Sequence, residues 1–218
     1  MSTTGTLTIR RFTLGPWQTN CYVVTPQGHP GCWIIDAGME PRALIAGVRE
    51  LGAPVAPEAI ILTHAHVDHI AGLSEVLRAF PRTPVFIHRD ESAWLADPEL
   101  NLSAMGPMPV SAPAPDRELA GDEELSLGPT RWRVIHTPGH SPGGICLYCE
   151  QAGILFGGDA LFAGSIGRTD LPGGEHEQLL RSIRERLYVL PAETRVLPGH
   201  GPATTIGQER MSNPFVRA

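Results

Sequence analysis

The sequence predicts an α/β fold in which two sheets pack face to face with helices outside, and three observations carry that prediction. Short apolar runs bounded by glycine and proline recur along the chain, and helical spacing of apolar residues appears between some of them. The order is strands, helices, strands, helices with no internal linker, so residues 1–218 read as a single domain.

Leu7 to Thr13, Cys21 to Thr25 and Cys32 to Asp36 read as strands separated by Gly and Pro turns. Pro41 to Leu51 is helical, with Leu44, Ile45 and Val48 on one face. Ala59-Ile60-Ile61-Leu62 has the character of a buried strand, and Ile70, Leu73, Leu77 and Phe80 then recur at helical spacing. A short strand at Val85 to His88 and a helix from Asp90 to Leu95 follow. Residues 97–123 carry too many prolines for regular structure. They read as a surface connection, or, beside a site, as a substrate-contacting loop in which Met105 and Met108 form a soft apolar wall. Leu125 to Leu127, Arg131 to His136, Gly144 to Cys149 and Gly153 to Phe156 form a run of antiparallel strands. Glu175 to Leu187 is a helix, Arg195 to Leu197 a strand, and Thr205 to Met211 a short closing helix.

Composition narrows the function. A net charge of -6 and the absence of any basic run exclude an electrostatic footprint for nucleic acid. All 17 basic residues are arginine, so P-loop, Schiff-base and lysine-base chemistry are absent. No stretch has the length of a membrane span, and Met1 to Arg11 lacks a signal-peptide core, so a soluble, cytoplasmic protein with no membrane partner is expected. Nothing in the sequence fixes an oligomeric state. The cysteines, at 21, 32, 146 and 149, are too scattered for a disulfide scaffold. Cys146 and Cys149 have the spacing of half a zinc ribbon, but strand alternation puts them on opposite faces, which favours buried free thiols.

The chemistry concentrates in Thr63-His64-Ala65-His66-Val67-Asp68-His69, on the turn between a strand and a helix. His64 and His66, two apart in nearly extended chain, project to one side, and Asp68 and His69 aim back from the helix entrance. The first pair suits a tetrahedral metal, and the second pair suits another. His140, Asp159 and His200 each lie just beyond a strand end, flanked by glycines that permit close approach. Five imidazoles and two carboxylates exceed the capacity of one zinc, whereas two bridged metals use them all. Asp36, at the edge of the third strand, is either an ordinary turn residue or support for a ligand histidine. His29, His88, His136 and His176 lack this setting and read as surface or core residues.

The pattern His64-x-His66-x-Asp68-His69 followed by His140, Asp159 and His200 resembles the metallo-β-lactamase superfamily over nearly the whole chain. The resemblance implies a four-layer αβ/βα sandwich. It also implies one metal on His64, His66 and His140, a second on Asp68, His69 and His200, and Asp159 bridging them. Asp159 speaks against the lactamases themselves. Gly167-Arg168-Thr169-Asp170-Leu171-Pro172-Gly173-Gly174, Gly199-His200-Gly201-Pro202 and Asn213-Pro214-Phe215 resemble the short bacterial type II glyoxalases, the hydroxyacylglutathione hydrolase-like enzymes of methylglyoxal detoxification.

By that resemblance the substrate is a small-molecule thioester such as S-D-lactoylglutathione, cleaved to D-lactate and glutathione by a hydroxide bridging two divalent metals. Zinc is the foremost ion, with iron and manganese also compatible. Asp68 orients the nucleophile. The longer glyoxalases bind glutathione through a C-terminal helical domain and lysine, neither of which this sequence carries. Arg168 is the candidate substitute contact for a substrate carboxylate, or else is salt-bridged within its own loop. The rival readings are a mononuclear-iron persulfide dioxygenase, a lactonase on the same two-metal site, and a non-enzymatic metal-binding or nucleic-acid module that has kept the fold.

Overall fold

Side-chain alternation along the strands sorts the chain into layers. In the computed structural model, which describes residues 7–106 and 108–217 apart from the side chain of Met105, Cys21 and Val23 face one core while Tyr22 and Val24 face another.

The first sheet runs β1 (Leu7–Leu14), β2 (Thr19–Pro26), β3 (Gly31–Ile35), β4 (Ala56–Ile61), β5 (Val85–His88) and β6 (Arg117–Leu119), in that spatial order. β1 to β3 pair antiparallel and β3 to β6 parallel. Its outer face is covered by α1 (Arg42–Arg49), α2 (Val67–Ile70) and α3 (Leu73–Ala79), which bury Leu44, Val48, Ile70 and Leu73 against Ile34 and Ile60. The expected continuous helix to Phe80 is thus two short ones. Gly72 breaks it, turning its N–H to the carbonyl of Ala37 at 2.8 Å, in a space where a Cβ would meet the carbonyl oxygen of Gly38 at 2.1 Å.

The second sheet uses β7 (Glu124–Leu127), β8 (Thr130–His136), β9 (Ile145–Cys149) and β10 (Ile154–Gly158). A small hairpin, β11 (Leu161–Phe162) with β12 (Ser165–Ile166), precedes β13 (Arg195–Pro198) and β14 (Thr204–Thr205). Its spatial order is β14-β13-β10-β9-β8-β7, with β10 and β13 parallel. α4 (His176–Ser182) and α5 (Ile206–Ser212) cover its outer face. The expected helix to Leu187 widens after Ser182, where Tyr188 N–H donates to the carbonyl of Ile183.

Between the sheets lies an aromatic core: Trp132 stacks on Phe156 at 5.5 Å and tilts against Trp33 at 5.9 Å. Truncating Trp132, which is fully buried, to alanine would cost roughly 3–5 kcal/mol. Helix, sheet, sheet, helix is the four-layer sandwich the sequence implied. Cys146 packs on the outer side and Cys149 between the sheets, and all four cysteines are buried and free. Burial pushes the thiols of Cys21, Cys32 and Cys146 up to about 12, so they are poor nucleophiles.

Further expectations change. Residues 90–95 lie in a 3-10 helix, Arg89–Ala96, and the 97–123 stretch contains a 3-10 turn, Ser103–Met105, and an edge strand, β6. β11, β12 and β14 are two-residue pairings too short to leave a hydrophobic period. Among the described residues no helix is long and apolar enough to cross a membrane.

Candidate metal centre

Four strand ends converge on one edge of the sandwich. β4 leads into His64, His66 and, through α2, Asp68 and His69; β8, β10 and β13 run into the turns that carry His140, Asp159 and His200. The register of β10 on β13 shifts between Phe156 and Gly158, directly before Asp159. Gly199 follows β13, and a Cβ there would stand 2.1 Å from Asp159 Oδ1 and 2.7 Å from His69 Cε1, so the turn is glycine because the site occupies the space.

Three overlapping groups of donor atoms result, each within 4.8 Å: His64, His66 and His140; Asp68, His69 and His200; and, between them, His64, His69 and Asp159. His140 Nε2 lies 2.9 Å from His66 Nδ1 and 3.3 Å from His64 Nε2. Asp68 Oδ2 lies 3.0 Å from His200 Nε2 and 3.4 Å from His69 Nε2. Asp159 spans them, with Oδ1 at 3.4 Å from His69 Nε2 and Oδ2 at 3.7 Å from His140 Nε2 and 3.5 Å from His200 Nε2. All seven candidate residues are therefore brought together.

The far nitrogens of four imidazoles are tied to oxygens, which turns the other nitrogen inward as a lone pair. His64 Nδ1 meets Thr63 Oγ1 at 3.2 Å, His69 Nδ1 meets Asp36 Oδ2 at 2.9 Å, His140 Nδ1 meets the Arg168 carbonyl at 2.7 Å, and His200 Nδ1 meets the Trp17 carbonyl at 3.1 Å. Asp36 is thus support for a ligand candidate, and it also accepts the Thr63 N–H at 2.7 Å and hydroxyl at 2.9 Å.

Burial, then the neighbouring imidazoles, pulls His64 well below its usual value. Burial and His140 pull His66 down to about 3. Both are neutral at physiological pH, as metal ligands must be. Burial also lowers His69, but Asp68, Asp36 and Asp159 outweigh it and raise that imidazole well above the ordinary range.

These residues fit metal ions. His69 Nε2 and Asp159 Oδ1 are buried, face each other and have no hydrogen-bond partner, and three carboxylates around one imidazole call for positive charge that a divalent cation supplies.

Glu91 is a further member that the sequence reading passed over. Fully buried, it accepts the Ala65 N–H at 2.5 Å through Oε2 and the Gly143 N–H at 2.7 Å through Oε1, tying the His64-Ala65-His66 turn to the His140 turn. Its signal was available: Glu91 shares its helix's buried side with Trp94 and Leu95, at helical spacing. Thr19, whose hydroxyl donates to Asp68 Oδ2 at 3.1 Å, gave no such signal.

A cleft of about 600 Å³ opens on the centre, lined in part by Trp17, Met108, Phe162 and Arg168. Met108 is the described half of the expected methionine wall; the side chain of Met105 lies outside the described residues. Arg168 donates from Nε and Nη2 to both oxygens of Asp170. The other histidines stay apart from the centre. His88 stacks on His136 at 4.0 Å, His29 pairs with Glu58, and His176 lies 3.3 Å from Thr169 Oγ1. His88, Asp90 and His136 do cluster, but His136 Nε2 lies 2.8 Å from the Pro142 carbonyl and His88 Nδ1 accepts the Asp90 N–H at 3.3 Å.

Residues 14–200 match the family model described as the metallo-beta-lactamase superfamily. The chain is 44% identical over 208 residues to "Probable metallo-hydrolase YqgX" of Bacillus subtilis, covering 95% of this chain and 96% of the relative. It is 34% identical to "Hydroxyacylglutathione hydrolase GloC" of Haemophilus influenzae, covering 93% and 94%. Among solved structures it resembles the BLEG-1 B3 metallo-beta-lactamase with a TM-score of 0.91 and 42% identity, covering 97% of this chain and 100% of that one. It also resembles TTHA1623 in a di-iron-bound form, with a TM-score of 0.83 and 40% identity over 95% and 100%. Four strand ends, seven converging donors and these likenesses agree that the chain belongs to the metallo-beta-lactamase superfamily.

Proposed function

We propose that this metallo-hydrolase cleaves thioesters, hydroxyacyl thioesters of the S-D-lactoylglutathione type among them, with two divalent ions held by His64, His66, His140 and by Asp68, His69, His200, and with Asp159 between. What supports the two-ion site most directly is Asp159, whose Oδ2 lies between His140 of one donor group at 3.7 Å and His200 of the other at 3.5 Å, while its Oδ1 lies 3.4 Å from His69. The relative named hydroxyacylglutathione hydrolase supports the thioester substrate.

Two such ions, when bound, would supply a water of lowered pKa and Lewis acidity toward the substrate carbonyl. The chain's own part is positional. Asp68, a carboxylate lining the cleft, would orient the attacking water, and it is itself held by the Thr19 hydroxyl. Attack forms the new C–O bond and the C–S bond breaks. A thiol has a pKa near 8.5, so the thiolate leaves without an acid catalyst. Zinc leads as the ion, and the mixed imidazole and carboxylate set also accepts iron or manganese.

The test is elemental analysis of the native protein together with turnover of S-lactoylglutathione, a lactone and a β-lactam, and oxygen uptake with glutathione persulfide. The β-lactam is included because the BLEG-1 structure is of a B3 metallo-beta-lactamase. Two metals per chain with thioester hydrolysis is the expected outcome. One iron per chain with oxygen uptake would instead make the protein a dioxygenase, and hydrolysis confined to the lactone or lactam would replace the thioester.

A further inference from the structure

Beyond the histidines and carboxylates, the walls of the 600 Å³ cleft include Trp17, Met39, Leu102, Val110, Phe162 and Leu171. The volume is that of a small-molecule site. Apart from Arg168, the histidines and the carboxylates, the polar side chains in these walls are Ser103 and Ser165. Ser103 Oγ accepts the Val110 N–H at 2.8 Å, and Ser165 Oγ contacts the Ile166 carbonyl at 3.5 Å. Arg168 is the one cation among the described lining residues, and Asp170 holds it with two hydrogen bonds of 2.7 and 2.8 Å. No lysine exists in the chain to supply another.

Such walls discriminate by chemistry. Glutathione carries two carboxylates and an ammonium, and desolvating them beside apolar side chains is unfavourable unless paired donors compensate. An uncharged alkyl arm gains instead, roughly fourfold in affinity for each methylene taken out of water.

We infer that the cleft selects substrates through an uncharged apolar arm and leaves a glutathione moiety unrecognised; the inference takes the bond cleaved from the thioester function proposed above.

The metal-loaded protein is given S-lactoylglutathione, S-lactoyl-N-acetylcysteamine and S-hexanoyl-N-acetylcysteamine. The two lactoyl esters should agree in kcat/KM within about threefold, and the hexanoyl ester should exceed its lactoyl counterpart by more than about tenfold. A tenfold advantage for the glutathione ester, or no gain from the hexanoyl chain, overturns the inference. Binding is measured separately by calorimetry with the uncleavable thioethers S-methyl- and S-hexyl-N-acetylcysteamine and S-hexylglutathione. The hexyl thioether should bind at least about tenfold tighter than the methyl one, with no added affinity from glutathione. Should that pattern hold while no thioester is turned over, the apolar selectivity stands and the thioester function falls. Tighter binding of S-hexylglutathione than of S-hexyl-N-acetylcysteamine sinks the selectivity whatever bond is cleaved.

Discussion

Asp36 Oδ2 lies 2.9 Å from His69 Nδ1 while the same carboxylate takes both the N–H and the hydroxyl of Thr63. One buried side chain thus orients the imidazole and anchors the start of the turn bearing His64 and His66. Its backbone has φ of 60°, a left-handed conformation that asparagine tolerates and most residues do not. Asp36→Ala should cost about 3 kcal/mol of stability through unsatisfied buried donors. It should also weaken metal binding by about 10- to 100-fold. Asp36→Asn keeps the backbone conformation and one acceptor, so it should fall between the two in both measurements. Equal metal affinity in all three proteins would mean that Asp36 does not position His69.

Glu91 does for the His140 side what Asp36 does for His69. Removing it in Glu91→Ala leaves the Ala65 and Gly143 N–H groups buried without acceptors, a loss of about 2–4 kcal/mol. The tie joins only the turns carrying His64, His66 and His140, so metal titration should show one ion weakened more than the other. Uniform weakening of both would assign Glu91 a general structural role.

Much of this was legible before any coordinates. Leu44, Ile45 and Val48 marked α1 because a half-buried helix must repeat its apolar face, and Cys21 to Thr25 marked β2 because its core runs unbroken. The seven donors were legible because their density and their places beyond strand ends serve no packing need. The spacing of Glu91 with Trp94 and Leu95 marks it as buried, but its role escaped because its oxygens serve backbone N–H groups 26 and 52 residues away, a pairing that local spacing does not encode. The two-residue strands β11, β12 and β14 escaped because pairing of that length is imposed by neighbours and not by propensity.

Gly199→Ala tests the packing of the centre by space alone. The added Cβ would overlap Asp159 Oδ1 and His69 Cε1, and these are flanked by the other donors, so the groups must move apart. The far-ultraviolet circular dichroism should be unchanged while metal content falls. Turnover should drop by about 100-fold or more, as expected when reacting groups are displaced by about an ångström. A fully metallated, active variant would contradict the close approach.

The metal-free protein should lose stability in mild acid. His66 titrates at about 3 in the fold, against about 6.5 in an unfolded chain. Between those values the unfolded chain holds a proton that the fold lacks, so stability is complete above pH 6.5 and falls as the pH falls toward 3. His64, shifted in the same direction, adds to the slope. His69, raised above its unfolded value, contributes fully below pH 6.5 and loses that contribution as the pH rises through its folded value. Denaturant midpoints of the chelated protein should therefore decline from pH 6.5 to 4.5, and His66→Gln should flatten the decline. An unchanged slope in the variant would detach it from His66.

Asp159 carries the strongest prediction because its carboxylate stands between the two donor groups, facing His140 of one and His69 and His200 of the other. In Asp159→Ala the oxygens facing His69, His140 and His200 disappear together. The repulsion between two ions would then be unscreened, since two unit charges at 4 Å interact by about 4 kcal/mol at an effective dielectric of 20 and each ion is divalent. Metal content should fall below two per chain and turnover by about two orders of magnitude or more. Asp159→Asn keeps one neutral oxygen, so it should retain more metal than the alanine variant without restoring turnover. Elemental analysis after exhaustive dialysis separates the cases. If Asp159→Ala still held two ions and hydrolysed thioesters at the parent rate, the assignment of a bridging carboxylate would be wrong.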